Sequence, residues 1–139
     1  EFHLIGGFKS NRHMKWSVKD QRFIEIFHFK EAGIGYYLHK LCYIESKQVL
    51  LSMGGYVTTA RSSRSCDHIY LWDIKNNKWH RSPISMPRRM YSFGYILTPN
   101  EKYVIIFGGN TTNHIHIFDL SKQRMIKLPS TLAQCPLNG

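Results

Sequence analysis

Apolar and polar residues alternate along this chain in short runs whose length and composition are typical of β-strands. The pattern is clearest near the C-terminus, in four segments that span residues 91–98, 103–107, 114–120 and 124–128. Each segment is rich in Tyr, Val, Ile or Phe and is separated from the next by polar residues. This succession predicts an antiparallel meander of four strands. Helix signals are nearly absent, and the stretch 29–35, which contains Gly33 and Gly35, favours a short loop or a single turn.

Three apolar runs end in the dipeptide Gly-Gly, which occurs nowhere else in the chain. The three pairs are Gly6-Gly7, Gly54-Gly55 and Gly108-Gly109. They lie 48 and 54 residues apart, a spacing that indicates an internal structural repeat. Glycine permits both a positive φ and a close approach of backbones, so each pair is expected to turn the chain out of a strand beside a neighbouring sheet.

When the three copies are aligned, each has an aromatic residue at the same position after the glycines. These residues are Trp16, Trp72 and Phe118, and a second large apolar residue comes seven positions later in each copy, at Phe23, Trp79 and Met125. These pairs are expected to supply the apolar surface that the next copy covers, so truncating Trp72 or Trp79 to Ala should cost about 3 to 5 kcal/mol.

Smaller features of the copies also predict local structure. Asp73 and Asp119 precede a turn, and their carboxylates are expected to accept hydrogen bonds from backbone N–H groups of that turn. Ser17 occupies the matching position in the first copy and can do the same more weakly. The second copy carries eight extra residues within 56–67, which are expected to form a loop.

The matching positions of the three copies resemble the kelch motif. The second copy matches it best, with LLSMGG, IYLWDIKNNKW and SPISMPRR, and the third keeps FGG, HIFDL and KLP. The resemblance covers roughly residues 1–129 and implies an all-β fold, a partial kelch-type β-propeller of about three four-stranded antiparallel blades. Blade one would span 1–35 and lack its first strand, blade two 36–84 and blade three 85–129, followed by a tail at 130–139.

Three blades are fewer than a closed propeller has, since closed rings contain four to eight. The resemblance therefore implies a fragment of a longer propeller, a chain that completes a ring by self-association, or blades that stack in an open arc. In each case the isolated chain is expected to expose two uncovered blade faces, and to associate or melt easily.

Charge and cysteine content set limits on the class of protein. The net charge is +10 and the pI is near 9.7, which favours encounter with acidic surfaces. The Lys and Arg residues are scattered and accompany no recognised nucleic-acid motif, so no specific nucleic-acid partner is expected. Cys42, Cys66 and Cys135 are widely spaced and odd in number, which predicts free thiols in a reducing, cytoplasmic compartment. The apolar runs are too short for membrane insertion.

The resemblance also implies a function, because kelch-like propellers chiefly bind proteins through one rim of loops. In this chain the rim would comprise residues 8–12, 30–36, 56–67, 83–89 and 110–113. The candidate binding residues on it are Tyr56, Arg61, Arg64, Arg88 and Arg89. Aromatic and Arg side chains dominate binding hot spots, and guanidinium groups suit an acidic peptide. A protein-protein interaction module is therefore expected.

An enzyme or carbohydrate-binding protein with a site near the propeller axis is the alternative. His114 and His116 lie on one face of a predicted strand, but the equivalent residues of the other copies supply no converging set of ligands. The sequence also lacks a nucleophile elbow and a phosphate-binding loop. We therefore expect no catalysis, metal or cofactor.

Overall fold

The computed structural model describes residues 2–29, 34–110 and 114–131, with side chains up to Pro129. The described residues form fourteen β-strands and no α-helix, which confirms the all-β class. The strands are β1 (His3–Ile5), β2 (Arg12–Ser17), β3 (Arg22–His28), β4 (Gly35–Tyr37), β5 (Lys40–Ile44), β6 (Val49–Met53), β7 (Tyr56–Thr58), β8 (Ser63–Ser65), β9 (Ile69–Asp73), β10 (Lys78–Arg81), β11 (Phe93–Leu97), β12 (Tyr103–Gly108), β13 (His114–Asp119) and β14 (Arg124–Thr131). One 3-10 turn, Glu45–Lys47, joins β5 to β6. Within these residues, nothing has the length and apolarity of a helix that could cross a bilayer.

Three antiparallel meanders follow the three copies of the repeat. The first sheet contains β1, β2 and β3, the second β5, β6, β9 and β10, and the third β11 to β14. The four strands expected near the C-terminus are those of the third sheet. Its last strand runs to Thr131, beyond the expected stop before Pro129, because β14 is an edge strand and a proline there removes no hydrogen bond from the ladder.

The insertion in the second copy corrects one expectation. Instead of a plain loop, it forms the hairpin of β7 and β8, and β7 pairs in turn with β4. The resulting small fourth sheet satisfies backbone groups that a loop would leave to water. A three-residue strand such as Tyr56–Thr58 is too short to show a clear alternation in the sequence.

The second and third sheets pack face to face around an aliphatic core. Odd-numbered residues of β6, such as Leu51 and Met53, meet even-numbered residues of β12, such as Val104 and Ile106. Phe118 of β13 is buried in the same cluster. Because side chains alternate between the two faces of a strand, one face of the second sheet packs against the third sheet and the other face against the first.

The core between the first and second sheets is aromatic. Trp72 and Trp79 lie directly opposite each other on β9 and β10, with their rings stacked at 6.0 Å, and Phe27 and Phe29 of the first copy pack against them. The expectation that the next copy covers this pair is therefore wrong: the preceding copy does. The period of two along a strand shows which residues share a face of the sheet. It does not show whether that face is turned toward the preceding or the following copy.

Each sheet consequently has an upstream face, turned toward the preceding copy, and a downstream face, turned toward the following one. The upstream face of the first sheet is largely uncovered: Phe2 is 77% exposed, Leu4 53% and Phe23 38%. The downstream face of the third sheet lies outside both core clusters. Its residues, none of them buried, are Tyr103, Ile105, Phe107, Ile115 and Ile117.

The Gly-Gly pairs take the expected positive φ in all three copies, with values between 57° and 144°. A Cβ atom at Gly54 would lie 2.5 Å from the carbonyl oxygen of Met90, in the following copy. Gly6 faces the carbonyl oxygen of Tyr36 in the same way. At Gly108, by contrast, a Cβ would meet no atom of the described residues within 4 Å, because no further described copy follows the third.

Candidate binding surface

Four aromatic rings form a continuous row along one rim of the three sheets. Phe8 contacts Tyr37 with 5.2 Å between ring centroids, Tyr37 contacts Tyr56 at 5.6 Å, and Tyr56 contacts Tyr91 at 4.7 Å. Phe8 is 61% exposed and the three tyrosines are half-buried. We call this row, Phe8, Tyr37, Tyr56 and Tyr91, the aromatic ladder.

The glycine turns place the rings next to each other. The N–H of Gly7 donates to the carbonyl of Tyr36 at 2.5 Å, so Phe8 emerges beside Tyr37. The N–H of Gly55 donates in the same way to the residue before Tyr91, at 2.7 Å. The same local geometry therefore repeats along the rim and joins one copy to the next.

Further contacts hold Tyr56 and Tyr91 in the row. Tyr56 is also fixed by strand pairing, since it lies directly opposite Tyr37 in the ladder between β4 and β7. Beyond Tyr91, the position after the third glycine pair is Asn110, whose Oδ1 accepts a hydrogen bond from the backbone N–H of Tyr91 at 3.1 Å. The residue that follows the third glycine pair is thus polar, whereas those that follow the first two pairs are aromatic.

The five candidate binding residues fall into separate groups. Tyr56 is in the aromatic ladder, and Arg61 and Arg64 are exposed on the β7–β8 hairpin that carries it. Arg88 and Arg89 are exposed in the connection that leads into Tyr91, but Arg88 lines a different cleft, between that connection and the third sheet. Arg64 lies opposite Val57 in the pairing of β7 with β8, so it projects from the sheet face opposite to that of Tyr56, and Arg61 lies in the connection between the two strands. The rim segments 30–33 and 111–113 lie outside the described residues.

Sequence reasoning missed three members of the ladder: Phe8, Tyr37 and Tyr91. Two signals could have found them. Phe8 and Tyr56 each follow a glycine pair directly, and Tyr37 and Tyr91 are separated by the same 54 residues as the second and third glycine pairs. The signal was that an aromatic residue recurs at a turn, a position that is usually polar and exposed to solvent.

A polar network supports the rim from below. The hydroxyl of buried Tyr36 lies 2.9 Å from the Ser52 hydroxyl and donates to the carbonyl of Gly54 at 3.0 Å. The thiol of Cys66 donates to the same carbonyl at 3.2 Å. Burial raises the pKa of Cys66 to about 11 and also raises that of Tyr36, so both groups stay protonated. Their role here is structural, because a protonated buried thiol is a poor nucleophile.

The remaining structural residues of the repeat take up their expected contacts. Asp119 Oδ1 accepts from the N–H groups of Ser121 and Lys122, Asp73 Oδ1 from that of Asn76, and Ser17 Oγ from that of Asp20. Trp16 lies opposite Phe23, and Phe118 opposite Met125. Cys42 and Cys66 are free and buried, and Cys135 lies outside the described residues.

His114 and His116 lie away from the aromatic ladder, on β13, with ring centroids 6.4 Å apart. Within 2–29, 34–110 and 114–131, no three His, Cys, Asp or Glu side chains are grouped so that they could hold a metal ion. The aromatic ladder, together with the β7–β8 hairpin that carries Arg61 and Arg64, is therefore the surface we take as the candidate site. No family model matches the chain, and no curated protein matches it either.

Proposed function

We propose that this chain is a kelch-type β-propeller fragment that acts as a cytoplasmic protein-protein interaction module. The propeller assignment is supported by three sheets of common plan, which pack in series through upstream and downstream faces. The compartment is supported by two buried free thiols. The observation that carries the binding function is the aromatic ladder, which crosses all three copies on one rim.

Aromatic rings held in mutual contact suit a binding surface for a simple energetic reason. A tyrosine has few rotatable bonds and is already held by its neighbours, so a partner that covers it costs little conformational entropy. The phenol also offers a hydrogen bond at the edge of an apolar ring. The ladder can therefore provide both area and specificity.

The charges of the hairpin that carries Tyr56 favour an acidic partner. Arg61 and Arg64 are exposed on the hairpin of Tyr56, and the chain as a whole carries a net charge of +10. A guanidinium group can bind a carboxylate through two parallel hydrogen bonds. We propose an acidic peptide segment of another protein as the partner, with its carboxylates at the hairpin and its apolar side chains on the tyrosines.

Selection from a displayed library of random peptides tests this function, because such a library offers the rim many combinations of acidic and apolar side chains. We expect the wild-type chain to enrich peptides rich in Asp and Glu. Affinities measured for those peptides should fall at least about tenfold in the double variant Tyr56→Ala/Tyr91→Ala, since a hot-spot tyrosine contributes at least 1 to 2 kcal/mol.

The matched control is Tyr43→Ala. Tyr43 is 45% exposed but belongs to β5, outside the ladder, so its removal should leave peptide affinity unchanged. Arg64→Ala should weaken acidic peptides more than neutral ones. Equal affinity of the selected peptides for the wild type and for Tyr56→Ala/Tyr91→Ala would exclude the aromatic ladder as the binding surface.

A further inference from the structure

A basic cleft of about 360 Å³ opens between the third sheet and the connection that joins β10 to β11. We call it the β13–β14 cleft, and its lining residues are Pro87, Arg88, His114, His116, Met125 and Lys127. None of these lining residues is acidic, while four carry a basic group. The cleft is thus a local concentration of positive charge, separate from the aromatic ladder.

His116 is the innermost basic group of the cleft. Its side chain is only 4% exposed, and its Nδ1 atom is buried with no hydrogen-bond partner among the described residues. Lys127 lies directly opposite His116 in the pairing of β13 with β14, so both side chains project from the same face of the sheet. A buried ring nitrogen without a partner costs free energy unless something in the cleft binds it.

The equivalent cleft between the first and second sheets has a more aromatic lining. There the positions of His116, Met125 and Lys127 are occupied by Tyr70, Trp79 and Arg81, and the rings of Phe27 and Phe29 also line it. His28 and His80 line it as well, so both clefts contain basic side chains. The third copy keeps the basic residue of the last strand and replaces the tyrosine opposite it by the imidazole of His116.

We propose that the β13–β14 cleft binds a phosphate group. Arg88 and Lys127 provide two fixed positive charges for a dianion, and the imidazole of His116 provides an N–H donor at the buried end. A monocarboxylate would neutralise only one of the two fixed charges. The ligand is therefore inorganic phosphate or a phosphate carried on another molecule, and both share this recognition chemistry.

The electrostatics of the cleft agree with the geometry. Burial lowers the pKa of His116, and the positive charges of His114 on its own strand, Lys127 on β14 and Arg88 on the connection lower it further. A dianion among these groups would oppose those charges and raise the pKa of His116. Phosphate binding should thus be coupled to proton uptake by this imidazole.

Titration of the full chain with inorganic phosphate, followed by the imidazole NMR signals and by ³¹P line width at constant ionic strength, tests the proposal. We expect saturable binding, a rise in the His116 pKa, and no comparable binding of acetate. O-phosphoserine provides a second arm: tighter binding than inorganic phosphate would indicate a ligand that carries its phosphate on a larger molecule, and equal binding would indicate the free ion.

Two variants that each remove one positive charge separate a built site from general attraction. Lys127→Ala should weaken phosphate binding by about tenfold or more, because it removes a charged hydrogen bond. Lys19→Ala removes an exposed charge from the first sheet and should change binding by less than about twofold. His116→Tyr restores the residue of the equivalent cleft and should abolish the proton coupling.

Three results would overturn the proposal. They are an absence of saturable phosphate binding, equal weakening by Lys127→Ala and Lys19→Ala, and acetate binding as tight as phosphate binding. If His116→Tyr does not fold, the comparison of Lys127→Ala with Lys19→Ala still decides.

Discussion

The indole N–H of Trp79 donates a hydrogen bond to Nδ1 of His13 at 3.1 Å, across the interface between the first two sheets. Because an indole nitrogen can only donate, Nδ1 of His13 must be unprotonated and its hydrogen must reside on Nε2. That second nitrogen lies 2.9 Å from Nδ1 of His3 and donates to it. His13, which is fully buried, is therefore neutral in the folded chain.

This arrangement predicts that the protein loses stability in mild acid. Burial, and then the charge of His3, lower the pKa of His13 from 6.5 to about 4, and burial lowers that of His39 to about 4. Between these values the unfolded chain binds more protons than the folded one, so stability is fully present above pH 6.5 and is lost as pH falls toward 4. At about pH 5 each histidine should cost about 2 kcal/mol relative to neutral pH.

Urea unfolding at neutral pH and at about pH 5 measures this loss. The variant His39→Phe provides the control, because Phe93 occupies the equivalent position in the third copy and lies against Gly54 as His39 lies against Gly6. Its loss of stability on acidification should be about half that of the wild type. An unfolding free energy that is the same at both pH values would contradict the neutral, buried state of His13.

The serial packing of the sheets predicts unequal costs for two equivalent tryptophans. Trp72 is 6% exposed and is covered by His3 and His13 of the first sheet, with ring distances of 5.0 and 4.3 Å. Trp16 holds the same position in the first sheet, whose upstream face is uncovered. We expect Trp72→Ala to cost about 3 to 5 kcal/mol and Trp16→Ala about 1 kcal/mol. Equal costs, measured by denaturant unfolding, would mean that the upstream face is covered in solution.

Features set by neighbouring residues could be predicted from the sequence, whereas features set by packing between copies could not. The turns closed by Asp73 and Asp119 and the opposed pair Trp72 and Trp79 follow from short spacings. Which neighbouring copy covers that pair depends on the face of the sheet from which the two tryptophans project. The sequence does not show this, so the covering copy was predicted wrongly.

The candidate site was predictable only in part for the same reason. Tyr56 was identified by its position in a loop after a glycine pair. Its neighbours Tyr37 and Tyr91 come from the beginnings of the second and third copies, and they reach it through the β4–β7 pairing and the hydrogen bond from Gly55 to Met90. Neither contact is encoded by local pattern, because each joins segments that are distant in sequence.

The glycine turns predict a second unequal pair of substitutions. Gly54 has φ 57° and Gly108 has φ 70°, so an alanine at either position suffers a similar backbone strain of about 1 to 2 kcal/mol. Only at Gly54 would the new methyl group also clash, 2.5 Å from the carbonyl oxygen of Met90. Gly54→Ala should therefore lower the melting temperature distinctly more than Gly108→Ala. Equal shifts would show that Gly108 also faces a neighbouring backbone.

The downstream face of the third sheet, against which no described element packs, predicts self-association of the isolated chain. Ile105 and Ile117 lie directly opposite each other there, and they are equivalent to Leu51 and Leu71, which the third sheet covers in the second. An apolar sheet face of this kind favours association with whatever apolar surface is available, including that of another copy. Sedimentation velocity should show a concentration-dependent shift to larger species, and Ile105→Glu should reduce it.

Val18→Glu is the matched control for that experiment. Val18 is 82% exposed in the turn between β2 and β3, so the substitution introduces the same charge in place of an apolar side chain without touching the face. It should leave the association unchanged, because the exposed turn contributes no sheet surface. If Val18→Glu and Ile105→Glu reduce association equally, the change in net charge is the cause and the downstream face is not the contact.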